Sequence, residues 1–117
     1  MTGPQLNLLV LRAANPRALA FFYGRFGLVF ETERHGNGPE HEACVMEASV
    51  LEIYPHSADG ARSAGTRIGF RVPSIEAATR GLDPETEIVQ PPRASKWGRR
   101  CVVRDPEGHQ VELVETA

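Results

Sequence analysis

Leu6-Asn7-Leu8-Leu9-Val10-Leu11-Arg12 is the run from which the fold can be read. It is rich in aliphatic, β-forming residues and predicts a buried strand. Asn15-Pro16 follows, an N-cap residue with proline at the first helical position. Leu19, Phe22, Tyr23 and Phe26 then fall at i, i+3, i+4 and i+7, one apolar face of a helix. Gly27 stands where that helix would stop. Residues 28–35 begin apolar and then alternate, which predicts a strand. Gly36-Asn37-Gly38-Pro39 is a turn cluster. Residues 41–47 and 50–54 predict two more strands joined tightly at Ala48-Ser49. The order is βαβββ.

Residues 55–65 are poor in hydrophobics and read as a linker, after which the plan restarts. Arg67-Ile68-Gly69-Phe70-Arg71-Val72 predicts a strand. Ser74 is a plausible N-cap, and Ile75, Ala78, Thr79 and Leu82 repeat the helical spacing up to Gly81 and Asp83-Pro84. Residues 87–90, 99–104 and 110–114 supply three strands, with Asp105-Pro106-Glu107-Gly108 as a β-turn between the last two. Adding 59 maps Leu8 to Arg67, Arg12 to Arg71 and Asn15 to Ser74; adding 60 maps Leu51 to Val111, Glu52 to Glu112 and Ile53 to Leu113. A half of this size can barely bury its own sheet. The expected fold is therefore α+β: paired βαβββ modules, about 4–56 and 66–116, within one domain spanning 1–117. They would form one curved eight-stranded mixed sheet, a cup, with the helices on its outer face.

Composition narrows the function. The chain has 117 residues, 13 basic against 15 acidic side chains and a net charge of −2. That charge disfavours a nucleic-acid binder. No apolar run reaches the ~20 residues of a membrane span, and the N-terminus resembles no secretory signal. Cys44 and Cys101 lack any CxxC spacing and read as buried free thiols of a cytoplasmic protein.

Side chains alternate along strands. Leu9, Leu11, Leu51, Ile53, Ile68, Phe70, Val72, Val111 and Leu113 therefore face the helices. Leu8, Arg12, Glu52, Tyr54, Arg67, Arg71 and Glu112 take the other face. Carboxylates among apolar neighbours are expensive without partners. Such a face is either a solvated sheet surface or a pocket lined by charge, and the twofold placement of Glu52 and Glu112 favours the pocket.

These residues resemble the vicinal oxygen chelate superfamily, which includes glyoxalase I, extradiol dioxygenases and bleomycin-resistance proteins. The likeness spans nearly the whole chain. It is carried by Leu8-Leu9-Val10-Leu11-Arg12 leading to Ala20-Phe21-Phe22-Tyr23, by Gly27-Leu28, and by Val103-Arg104-Asp105-Pro106-Glu107-Gly108-His109-Gln110-Val111-Glu112-Leu113. The resemblance implies a cup, usually in a homodimer, and a divalent metal held by one His, Gln or Glu from each of four strands. The matching positions here are Leu8, Glu52, Arg67 and Glu112. Leucine has no lone pair to donate and arginine stays cationic. No metal cofactor is therefore expected, and Arg67 would pair with Glu112, Glu52 or both in its place.

The leading expectation is a glyoxalase/bleomycin-resistance-like protein that binds a small organic molecule, with Trp97 and Tyr54 giving apolar contact. One alternative is a metal-dependent lyase, isomerase or dioxygenase that uses Glu52, Glu112 and a further ligand such as His41. Another is a metal-free enzyme with Glu52 or Glu112 as general base. His35 and His41 flank the glycine-rich turn, as hairpin residues or as groups at the mouth of the cup. His109 reads as structural, His56 lies in the linker with nothing to recommend it, and no Ser-His-Asp arrangement is visible. An open sheet edge and a half-covered cup predict a homodimer.

Overall fold

In the computed structural model, which describes residues 3–57 and 59–116, each half folds as β-α-β-β-β. The first module holds β1 (Leu8–Ala13), α1 (Pro16–Gly24), β2 (Glu31–Glu33), β3 (His41–Val45) and β4 (Val50–Pro55). The second holds β5 (Arg67–Val72), α2 (Ile75–Arg80), β6 (Ile88–Arg93), β7 (Arg100–Arg104) and β8 (Gln110–Glu115). The eight strands hydrogen-bond as two four-stranded mixed sheets, β1-β4-β3-β2 and β5-β8-β7-β6. The expected single ladder is thus divided in two, each module closing its own hydrogen bonds. The internal repeat is kept in the register. β1 runs parallel to β4 with Leu8 opposite Val50, and β5 runs parallel to β8 with Arg67 opposite Gln110. Those pairs are the 59- and 60-residue offsets of the sequence.

Local chemistry sets the elements. The Asn15 side chain accepts from the Ala18 amide at 3.2 Å to start α1 over Pro16, and Ser74 accepts from Ala77 at 3.1 Å to start α2. Leu19, Ala20, Phe22 and Tyr23 are buried, and each large side chain contributes roughly 1.5–3 kcal/mol on burial. Gly27 adopts a φ of 117°, which turns the chain out of α1. Strand parity holds: Leu11, Leu51, Ile53, Val111 and Leu113 are fully or almost fully buried. One contiguous core joins both modules, because Phe70 of β5 packs against Tyr23 of α1 and Phe26 just beyond it, with ring centroids 5.9 and 5.5 Å apart.

Two strands differ from expectation. Only residues 31–33 of the segment 28–35 pair with β3, because Leu28 and Phe30 pack against the core instead of joining the ladder. Strand β6 runs on through Pro91-Pro92 to Arg93. It is an edge strand whose pairing with β7 shifts register twice, so the missing proline donors break no ladder. No helix among the described residues is long and apolar enough to cross a membrane.

Candidate functional site

The faces turned away from the helices carry the charge. On the first module, the pairing sets Val10, Glu52, Ala43 and Glu31 in one row across all four strands. A second row runs Arg12, Tyr54, His41 and Glu33. The Arg12 guanidinium lies 5.4 Å from the Tyr54 ring centroid, and Tyr54 stacks on His41 at 4.1 Å and 9°. His41 is almost wholly buried, with Nε2 3.1 Å from Glu33 Oε1 and 3.7 Å from Glu52 Oε2. Loss of water, and then the charges of Glu52 and Glu33, hold the Tyr54 hydroxyl above the usual tyrosine pKa; Arg12 opposes them.

The second module presents the opposite charge. Gly69, Glu112, Val102 and Gln90 form one row, and Arg71, Val114 and Arg100 part of the next. Glu112 Oε1 accepts from Arg67 at 2.6 Å and from Arg100 at 2.8 Å. The Nε of Arg100 is buried and has no partner. A cavity of about 300 Å³ beside this clamp is lined by Gly69, Phe70, Arg71, Glu112 and Val114.

The expected pairing of Arg67 with Glu112 is therefore present, and its pairing with Glu52 is not. Arg12, Glu52 and Tyr54 lie on one sheet, while Arg67, Arg71 and Glu112 lie on the other. Among the described residues no ion pair or hydrogen bond joins the two sets. Leu8 is 46% exposed. Trp97 is exposed in the β6–β7 loop, with Lys96 Nζ 4.7 Å from its ring. Glu33 and Arg100 escaped notice in the sequence because only the strand register puts them opposite His41 and beside Glu112.

The sequence also concealed a Ser-His-Asp arrangement. Ser63, from the linker, lies 2.6 Å from His109 Nε2, and His109 Nδ1 donates to Asp105 Oδ2 at 2.8 Å. Asp105 Oδ2 also accepts from Tyr23 at 2.6 Å, and its Oδ1 takes the amides of Glu107 and His109. Ser63 Oγ takes the Arg12 amide at 2.7 Å. Each of these atoms is engaged in tying α1, β1 and the linker to the β7–β8 turn, which supports the structural reading of His109. Cys44 and Cys101 are buried and free, and burial raises the Cys101 thiol pKa, leaving it a poor nucleophile.

Comparison with known proteins bears on this geometry. The family model described as Glyoxalase/Bleomycin resistance protein/Dioxygenase superfamily matches residues 5–113. The chain belongs to this superfamily. Among solved structures that share the fold is TnmS3, an antibiotic-binding protein from Streptomyces sp. CB03234. It superposes with a TM-score of 0.78 at 16% identity, covering 100% of this chain and 99% of that one. A superfamily member from Sphaerobacter thermophilus gives 0.71 at 22% identity, with 99% and 100% covered. The oxidase ChaP-H2 gives 0.74 at 19% identity, with 100% and 96% covered. Identities this low establish the shared fold alone. No curated protein sequence matches the chain.

The divalent metal that many members of the glyoxalase/bleomycin-resistance superfamily carry does not fit this chain at the four matching positions. Leu8 offers no donor atom, and the Arg67 guanidinium is already bonded to Glu112. A metal there would have to displace a charge-assisted hydrogen bond to gain two carboxylates beside a fixed cation.

Proposed function

We propose that this chain binds a small organic molecule carrying an anionic group, in a cup it forms as a cytoplasmic homodimer, without a divalent ion at the superfamily's four positions. The observation that carries this reading is the clamp of Arg67 and Arg100 on Glu112 beside a cavity of about 300 Å³. The second module's open face carries Arg67, Arg71 and Arg100 against Glu112, an excess of cation with one buried N–H unpartnered. Guanidinium forks suit a carboxylate or a phosphate. The cavity is at the lower limit for ligand sites. A second copy supplies the missing wall: the first module's face, with Glu31, Glu33 and Glu52 against Arg12, is acidic where the other is basic. TnmS3, which shares the fold, is an antibiotic-binding protein. Two free thiols agree with a reducing compartment.

The test is calorimetric titration with a panel of aromatic carboxylates and phosphates, paired with sedimentation at micromolar concentration. We expect a dimer, and binding that Arg67→Ala weakens at least about tenfold, the loss of a charge-assisted hydrogen bond. The half-exposed Arg67 side chain makes a surface pair, so the same change should cost less than about 1 kcal/mol of stability. A monomer that binds nothing in the panel, or binding indifferent to Arg67→Ala, would sink the proposal. A metal-dependent lyase, isomerase or dioxygenase is the second reading. It is favoured by His41 lying beside Glu52, and turnover restored only by an added divalent ion would establish it.

A further inference from the structure

The first module gathers a second constellation, distinct from the superfamily's four positions and sharing only Glu52 with them. Glu33 is on β2, His41 is opposite it on β3, Glu52 is on β4, and His35 stands two residues beyond Glu33 at the start of the turn. One donor atom from each lies within 4.8 Å of the others. We propose that Glu33, His35, His41 and Glu52 together hold one divalent transition-metal ion of the zinc class.

The hydrogen bonding of His41 is the strongest ground. Its Nδ1 lies 3.2 Å from the Pro39 carbonyl oxygen, which can only accept, so Nδ1 carries the proton. That leaves Nε2 as the ring atom able to ligate, and it lies near two carboxylate oxygens, Glu33 Oε1 at 3.1 Å and Glu52 Oε2 at 3.7 Å. His35 Nε2 approaches the same Glu33 oxygen at 3.2 Å. Two imidazole nitrogens and two carboxylates thus converge on one point, deep at His41 and open at His35, where a cation can join all four. The distances suit one: donors at 2.0–2.1 Å around a tetrahedral ion stand about 3.4 Å apart. Two imidazoles and two carboxylates are a donor set for zinc, and two neutral rings with two anions balance a dication.

The surroundings are built for ligation. A ligating histidine usually gives its other ring N–H to a backbone carbonyl, as His41 does to Pro39. The Tyr54 ring stacks on His41 and fixes its plane, and the His35 ring lies 5.1 Å from that of His41. Gly36, at a φ of 58°, folds the turn so that the Gly38 amide bonds His35 O at 2.9 Å and His35 returns over Glu33. With four protein ligands the ion would pin β2, β3, β4 and the turn together.

The experiment uses the full chain, stripped with chelator and titrated with Co²⁺ or Zn²⁺ alone. Expected are one ion per chain, the intense visible absorption of four-coordinate cobalt, its loss on adding Zn²⁺, and a higher melting temperature with Zn²⁺. The His35 side chain is exposed, so His35→Ala keeps the fold and should weaken cobalt binding by about 10- to 100-fold or more. Glu33→Gln should do likewise, and Glu112→Gln should leave the titration unchanged. Three results overturn the proposal: no binding at millimolar metal, binding unaffected by both His35→Ala and Glu33→Gln, or binding abolished by Glu112→Gln.

Discussion

Tyr23 donates its hydroxyl proton to Asp105 across the boundary between the modules, and both groups are buried. Burial, the Asp105 charge and the hydrogen bond all raise the pKa of Tyr23 far above the ordinary tyrosine value of 10.0. Because the folded pKa lies above the unfolded one, this contribution to stability is full below about pH 10 and is lost as pH rises beyond it. Tyr23→Phe should therefore cost about 1.5–3 kcal/mol at pH 7, the range for hydrogen bonds to charged groups. It should also flatten the fall in stability above pH 10. Urea denaturation at pH 7 and pH 10.5 separates the two effects, and parallel losses in both proteins would refute the assignment. The sequence placed Tyr23 on the buried face of α1 from spacing alone. It gave no hint of Asp105 as partner, since nothing local joins residues 82 positions apart.

The helices meet at their C-terminal ends. Gly81 caps α2 with a φ of −80°, so its role is not to reverse the chain. Its role is room: a Cβ at this position would stand 2.5 Å from the Arg25 carbonyl oxygen, just past α1. Arg25 in turn donates from Nη1 to the Gly81 carbonyl at 2.9 Å. Gly81→Ala should cost about 1–3 kcal/mol by forcing the two helix ends apart. Gly24, the last residue of α1, has open space where its Cβ would be, and Gly24→Ala should be neutral or stabilise by up to about 1 kcal/mol. Thermal melts of the two variants would check the contrast, and equal shifts would contradict it. Periodicity made α1, α2 and the alternating strands legible. It overextended β2 and cut β6 short, because pairing decides where a strand ends. The candidate site was legible to the same depth: parity put Glu52, Tyr54, Arg67 and Glu112 on the open faces. Only cross-strand register could bring Glu33 to His41 or Arg100 to Glu112.

The two modules share what neither could build alone. Phe70 of the second is packed by aromatic rings of the first, and the Ser63 hydroxyl in the linker bridges the Arg12 amide to His109. Chains of fewer than about 70 residues rarely bury enough apolar surface to fold without staples, and each module is shorter than that. Separated modules would also leave Asp105 buried without Tyr23, a cost of about 1–3 kcal/mol for the lost partner. The expected consequence is a single cooperative unfolding transition for the whole chain, with calorimetric and van't Hoff enthalpies equal. A protease site engineered between residues 59 and 62, where the linker is exposed, should leave the cut halves co-eluting and folded. Either half expressed alone should show no near-ultraviolet dichroism. Two separate transitions, or a folded isolated half, would mean that the aromatic junction is a contact between independent units, and that Tyr23 and Phe70 only dock them.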